Sequence, residues 1–246
     1  MAGLSTPEGE IARATIKFLI ARGSRPMRPM TPRLMRGRFD ETLGIWVWTA
    51  PHSARRAGPA LFLDRDGVIV EDPGYLCRAT DLRLIPGAAS LISLVNRRGI
   101  PIVEVTNQAG IGRGYYGWAE FVEVEEALAG LLAREEACFD AVFACPYHPE
   151  GIAPWGHPAH PARKPLPGML LAAEQILDLD LRRSWIVGDK LTDLQAGYHA
   201  GLRGGLHVLT GEGRRERGAV MEWRPGNFEV RLGESVGDAE GVLAQL

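Results

Sequence analysis

An α/β fold built around a central parallel sheet is what this 246-residue chain predicts. Three observations carry that reading. Short apolar runs of strand length recur between residues 61 and 209, bounded by turn-forming residues. Segments with helical spacing of apolar residues separate them, so successive strands are joined by crossovers and run parallel. Three of the runs end abruptly in polar residues, at the carboxyl end of the strand, where open parallel sheets bind ligands.

The elements follow in order. Residues 1–55 stand apart: an amphipathic helix is expected over 11–21, then an Arg-, Pro- and Met-rich stretch without period over 22–38, then a strand in Leu43-Gly44-Ile45-Trp46-Val47-Trp48. This extension is read as packed against the core. Leu61-Phe62-Leu63 is the first strand of the main pattern, and Asp64-Arg65-Asp66-Gly67 follows it at once. Pro86-Gly87 opens a helix carrying Leu91, Ile92, Leu94 and Val95 and closing at Gly99, a proline start and a glycine stop. Ile100-Pro101-Ile102-Val103-Glu104-Val105 is the next strand and runs into Thr106-Asn107-Gln108. Between Trp118 and Ala137, Phe121, Val124, Leu128, Leu131 and Leu132 share one helical face, with Glu and Arg on the other. Ala141-Val142-Phe143-Ala144 is a strand, 167–177 and 191–200 are helices, and Trp185-Ile186-Val187-Gly188 and 206–209 are strands. Intervals 66–86 and 147–164 are too short for a folded lid, so the site stays open. The organisation expected is an extension over 1–55, a catalytic domain over 56–215 and a C-terminal segment over 216–246 packed on it.

With 46% hydrophobic and 24% charged residues the chain is of ordinary globular composition. A net charge of −2 argues against a nucleic-acid footprint, and no apolar run is long enough for a membrane span. The start Met1-Ala2-Gly3-Leu4-Ser5 lacks an export pattern, and Cys77, Cys138 and Cys145 form no disulfide framework, so a cytoplasmic protein is expected. A monomer acting on a small phosphorylated molecule is expected as well.

The chemistry concentrates at the strand ends. Asp64 and Asp66 lie two residues apart, with one residue between them, and are followed by a glycine. An unpaired carboxylate at a buried strand end pays heavy desolvation, which a bound cation or a covalent role would explain. Thr106 ends a second strand, Asp189 a third, and Arg163-Lys164 is a basic pair just ahead of a helix start. Together Phe62-Leu63-Asp64-Arg65-Asp66-Gly67, Val105-Thr106-Asn107-Gln108-Ala109-Gly110-Ile111, Arg163-Lys164-Pro165 and Val187-Gly188-Asp189-Lys190 resemble the motifs of the haloacid dehalogenase (HAD) superfamily of aspartate-nucleophile phosphohydrolases. Within it they are similar to the D,D-heptose 1,7-bisphosphate phosphatases and the related histidinol-phosphate phosphatases. The resemblance runs from about Pro59 to Gly211 and covers neither end of the chain.

It implies a Rossmann-like three-layer sandwich without a large cap domain. It implies that Asp64 is the nucleophile, forming an aspartyl-phosphate, and that Asp66 is the acid and base of the two steps. Asp64, Asp189 and the Asp66 carbonyl would hold Mg²⁺, Lys164 would bind the phosphoryl oxygens, and Thr106 would donate a hydrogen bond to them. Asp72, Gly74, Tyr75, Asn107, Gln108, Arg113, Arg163 and Lys190 are the remaining candidates for substrate binding, Arg163 for a second anionic group. Asp193 is expected either to orient Lys190 or the metal's waters, or simply to complement a helix N-terminus. The chain departs from the family at its zinc loop. Tyr147 stands where a ligand histidine falls and Ala162 where cysteine ligands fall, leaving Cys145, His148, His157 and His160 as possible ligands. No structural zinc is expected. The functional expectation is a Mg²⁺-dependent phosphatase of a heptose bisphosphate or similar sugar phosphate. The alternatives are a histidinol-phosphate or other small-molecule phosphatase and, remotely, a non-catalytic binding protein.

Overall fold

The computed structural model describes residues 37–51 and 57–246, so the helix expected over 11–21 lies outside the described residues. The chain enters through a hairpin, β1 (Arg38–Asp40) and β2 (Ile45–Thr49). Its tight turn is held by Asp40, whose Oδ1 accepts the Thr42 and Leu43 N–H groups, and by Gly44 at φ 67°. The main pattern follows: β3 (Leu61–Leu63), α1 (Ala88–Arg97), β4 (Ile102–Asn107), the one-turn α2 (Ala109–Gly112), α3 (Trp118–Ala133) and β5 (Ala141–Cys145). The second half is α4 (Gly168–Leu177), β6 (Trp185–Gly188), α5 (Leu191–Ala200), β7 (Gly204–His207), α6 (Gly213–Glu222) and β8 (Glu229–Leu232). A ten-residue run of 3₁₀ turns, Val236–Gln245, closes the chain.

All eight strands form one sheet in the order β1-β2-β5-β4-β3-β6-β7-β8. The six central and C-terminal strands pair in parallel, as the crossovers require. The strand read in residues 43–48 is present as β2, which adds antiparallel to the β5 edge and carries β1 antiparallel on its other side. The four-residue turn between them reverses the chain and so sets β1 antiparallel to β2. β8 was not legible in sequence. Glu229-Val230-Arg231-Leu232 has no apolar run because it lies at the sheet edge, where its residues are only partly buried or exposed. Helix α6 crosses residue 215, and β8 and the 3₁₀ segment extend the same sheet and core.

Alternation along the strands builds two apolar layers. Leu61, Leu63, Ile102, Val142, Trp185 and Val187 face α1, α3 and the C-terminal segment, whose Val236, Ala239 and Val242 are buried there. Phe62, Val103, Val105, Phe143 and Ile186 face α4 and α5. Fully burying each such side chain contributes roughly 1.5–3 kcal/mol. The same alternation sends Glu104 and Thr106 of β4 to the first side and Asn107 to the second. One helix departs from its pattern: Glu125 lies on the inner face of α3 with Phe121, Val124 and Leu128 and is fully buried, and Leu131 is only partly covered. A buried charge explains that exception, as the site shows.

Candidate active site

The chain leaves β3 for β4 and β5 on one side and returns to β6, β7 and β8 on the other. β3 and β6 therefore flank the point where the strand order reverses, and side chains beyond their carboxyl ends meet over a crevice. A cavity of about 520 Å³ opens there. Asp64 follows β3 directly and is fastened to β6 by its N–H, which donates to the Val187 carbonyl at 3.0 Å. Asp189 follows β6.

On the Asp64 side, charges interleave. Asp64 Oδ1 lies 2.8 Å from Lys164 Nζ, and Asp193 Oδ1 lies 2.7 Å from the same nitrogen. Lys164 Nζ also donates to the Val105 carbonyl at 2.8 Å, so all three of its protons have acceptors. Burial works against its charge, but Asp193 and Asp64 outweigh it and raise its pKa. Asp189 is fully buried: Oδ2 accepts the Glu212 N–H at 2.8 Å, while Oδ1 has no partner. Burial first, then the charges of Asp193 and Asp64, push its carboxyl up to about 8. Ligand atoms of Asp64, Asp189 and Asp193 lie within 4.8 Å of one another, the group among the described residues with metal-like geometry. Hard oxygen donors, an orphaned carboxylate oxygen and uncompensated repulsion together suit a hard divalent cation such as Mg²⁺. Gly67, at φ 85°, and Gly211, at φ 57°, have no room for a Cβ because Asp189 Oδ2 sits against both. Lys190 Nζ is 3.5 Å from Asp189 Oδ2; against the pull of desolvation, Asp64, Asp189 and Asp193 keep it charged.

The Asp66 side is closed instead. Its carboxylate accepts from Arg65 Nε at 3.2 Å, from Arg65 Nη2 at 3.0–3.1 Å and from Gln108 Nε2 at 3.1 Å. Gln108 is itself held, donating to Thr106 Oγ1 at 2.8 Å and accepting from the Tyr116 hydroxyl at 2.5 Å. Arg65 pairs with the buried Glu125 of α3 at 2.7 Å. Nearby, Glu104 is fully buried with both oxygens unpartnered, and burial, then Glu125, raises its carboxyl well above the usual range.

Known proteins resemble this chain in sequence and in fold. Residues 161–231 match the HAD-hydrolase-like family model. A D-glycero-beta-D-manno-heptose-1,7-bisphosphate 7-phosphatase of Mesorhizobium japonicum is 47% identical over 176 residues, 72% of this chain and 80% of that protein. The enzyme of that name from Escherichia coli is 38% identical over 63% of this chain and 81% of its own length. The chain belongs to the HAD superfamily of phosphatases. A solved HAD-like protein from Mesorhizobium loti superposes with TM-score 0.73 at 39% identity, covering 89% of this chain and 96% of that one. A D,D-heptose 1,7-bisphosphate phosphatase from B. bronchiseptica, solved with magnesium and phosphate, gives TM-score 0.66 at 31% identity over 76% and 99%.

Within this HAD phosphatase, Asp64, Asp66, Asp72, Gly74, Tyr75, Asn107, Gln108, Arg113, Arg163, Lys164 and Lys190 all line the cavity. Thr106 and Asp189 do not. Thr106 was expected to donate to phosphoryl oxygens, but it lies beneath the floor, 1% exposed, because strand alternation turns it to the α3 side. Asn107 and Gln108 reach the cavity, yet their amides are engaged within the protein. Asn107 brackets the Lys164 backbone with two 3.1 Å bonds, to its carbonyl and from its N–H. One oxygen of Asp193 accepts the Lys190 N–H at the start of α5, in keeping with a helix N-terminal role, and the other holds Lys164, which the sequence did not indicate. Arg113 donates to the Tyr75 hydroxyl at 3.1 Å and pairs with Glu150 at 2.7 Å, and Arg163 donates to the Tyr147 carbonyl at 2.9 Å. Tyr116, Arg65 and Glu125 were missed. A glutamate on an otherwise apolar helix face was the one available signal for Glu125.

The four candidate zinc ligands have other surroundings. Cys145 is buried in the α4–α5 layer, and burial pushes its thiol up to about 12. His148 engages Arg113. His160 stacks on Tyr147 with ring centroids 3.7 Å apart and planes within 7°, and His157 meets it edge-on at 5.2 Å. Tyr147 thus fills the place of a ligand histidine with aromatic contact, reaching Trp155 as well.

Proposed function

We propose that this phosphatase uses Asp64 as its nucleophile and Asp66 as acid and base, and that it removes the 7-phosphate of a D,D-heptose 1,7-bisphosphate. The observation that carries the reading is the Asp64 carboxylate held against Lys164 at the switch point, beside the unpartnered oxygen of Asp189. The names of the relatives supply the substrate.

An Asp64 oxygen attacks phosphorus while the bond to the sugar oxygen breaks, and Asp66 gives that oxygen its proton. The ionised Asp66 then takes a proton from a water that attacks the acyl phosphate, releasing phosphate and restoring Asp64. Lys164 and Lys190 place positive charge where the phosphoryl oxygens would lie. Asp64, Asp189 and the Asp66 carbonyl would hold Mg²⁺, which when bound supplies positive charge against a dianionic substrate. Asp72, Gly74 and Tyr75 contact the sugar from one rim. Arg163 and Arg113 offer bidentate donors to a second anionic group from the other. Residues 56–215 would hold the catalytic groups, in a monomer that works in the cytoplasm. No helix among the described residues is long and apolar enough to cross a membrane.

A panel of phosphomonoesters assayed with Mg²⁺ tests the substrate. The heptose bisphosphate should give the highest kcat/KM, losing its 7-phosphate and keeping the 1-phosphate. Preference for histidinol phosphate would replace the substrate while keeping the machinery.

A further inference from the structure

Arg65 sits in sequence between the two aspartates of the strand end, yet its side chain turns away from the cavity and is 1% exposed. Its guanidinium does three things at once. Nη1 meets Glu125 Oε1 at 2.7 Å, Nε and Nη2 grip both oxygens of Asp66, and the carbon stands 5.5 Å from the Phe121 ring centroid. Glu125 is wholly buried and comes from α3, sixty residues away in sequence. Such a pair is weak evidence for stability, because apolar replacements commonly serve as well or better. Its geometry offers another reason for its presence. A rigid planar fork fixes the plane of a carboxylate, and a carboxylate on the far nitrogen fixes the fork. Gln108 meets Asp66 from the other side.

We propose that Arg65 and Glu125 are positioning residues that hold the Asp66 carboxylate in the orientation in which it meets the leaving-group oxygen. The proposal rests on the reading of Asp66 as the acid and base.

Leaving-group dependence tests it. An alkyl alkoxide needs a proton to depart, whereas 4-nitrophenolate does not, and kcat/KM reports on phosphoryl transfer to Asp64. In Glu125→Gln and Arg65→Lys, kcat/KM for a sugar phosphate should fall about 10- to 100-fold while that for 4-nitrophenyl phosphate falls less than about 3-fold. On an Asp66→Asn background the same changes should cost nothing further, because the group they position is gone. Equal losses on both substrates, no loss on either, or full additivity with Asp66→Asn would overturn the proposal. Asp66→Asn alone separates the two readings. If it shows no leaving-group dependence, the acid-base assignment fails; if it does and Glu125→Gln does not, only the positioning role fails. Circular dichroism checks folding, and if a single variant unfolds, Arg65→Met with Glu125→Leu removes both charges together and is judged by the same criteria.

Discussion

Asp64 and Asp66 are two residues apart, and the protein treats them in opposite ways. Around Asp64 three carboxylates crowd within ligand distance of one another, Lys164 and Lys190 stand at their edges, and one oxygen of Asp189 is left without a partner. Around Asp66 the carboxylate is gripped by Arg65 and Gln108, each held by a further residue. The first region is electrostatically unfinished and suits a cation and a phosphate that complete it. The second is already complete and suits a group that must not move. On the proposed roles, a nucleophile and an acid-base catalyst drawn from the same residue type would be prepared by their neighbours, not by their own chemistry.

The contrast breaks most sharply at Asp64. Asp64→Asn should lower kcat by at least ~10⁴-fold while the protein folds normally, since asparagine matches the volume and is a very poor nucleophile. Phosphate release near the wild-type rate would end the nucleophile assignment. Metal removal comes next. EDTA should reduce activity to background and Mg²⁺ restore it, because the open cluster offers hard oxygens only; restoration by Zn²⁺ and not by Mg²⁺ would mean a different site. Metal analysis of protein purified without added zinc should find no stoichiometric zinc, and one tightly held zinc per chain, lost with Cys145→Ala, would reverse that expectation.

Smaller effects grade the closed side. Tyr116→Phe removes the hydroxyl that fixes Gln108 and should lower kcat about 5- to 10-fold with KM little changed, the equivalent of one hydrogen bond. A rise in KM with unchanged kcat would place Tyr116 in substrate binding instead. The smallest effect lies outside both regions, in a loop held by aromatic packing. Burial, then His157, pushes the His160 imidazole down to about 4, below its unfolded value near 6.5. A depressed pKa means stability present above about 6.5 and lost as pH falls through about 4. His160→Phe, which keeps the stacking on Tyr147, should flatten that part of the pH–stability curve measured by denaturant unfolding. An unchanged acid limb would show that another group carries it.

Much of the frame was legible because it depends on local pattern. Apolar runs located β3 to β7, and crossovers imposed parallel pairing. Polar residues after the runs placed Asp64 and Asp189 at one edge of the sheet, and the motif resemblance added Lys164. β1 and β8 escaped because an edge strand need not be apolar. What only the tertiary structure decided was the choice of partners across long stretches of chain. Glu125 read as the solvated face of an amphipathic helix until Arg65 was seen to meet it. Asp193 read either as orienting Lys190 or the metal's waters or as a helix-end charge, and neither reading revealed that Lys164 bridges it to Asp64. Asn107 and Gln108 read as substrate contacts and line the cavity, but that their amides also engage Lys164, Asp66 and Thr106 was not legible. Periodicity is a property of neighbours in sequence and is written in every few residues. The pairing of a charge with its counter-charge depends on distances set by folding, and a carboxylate looks the same in sequence whether it meets water, a cation or a guanidinium.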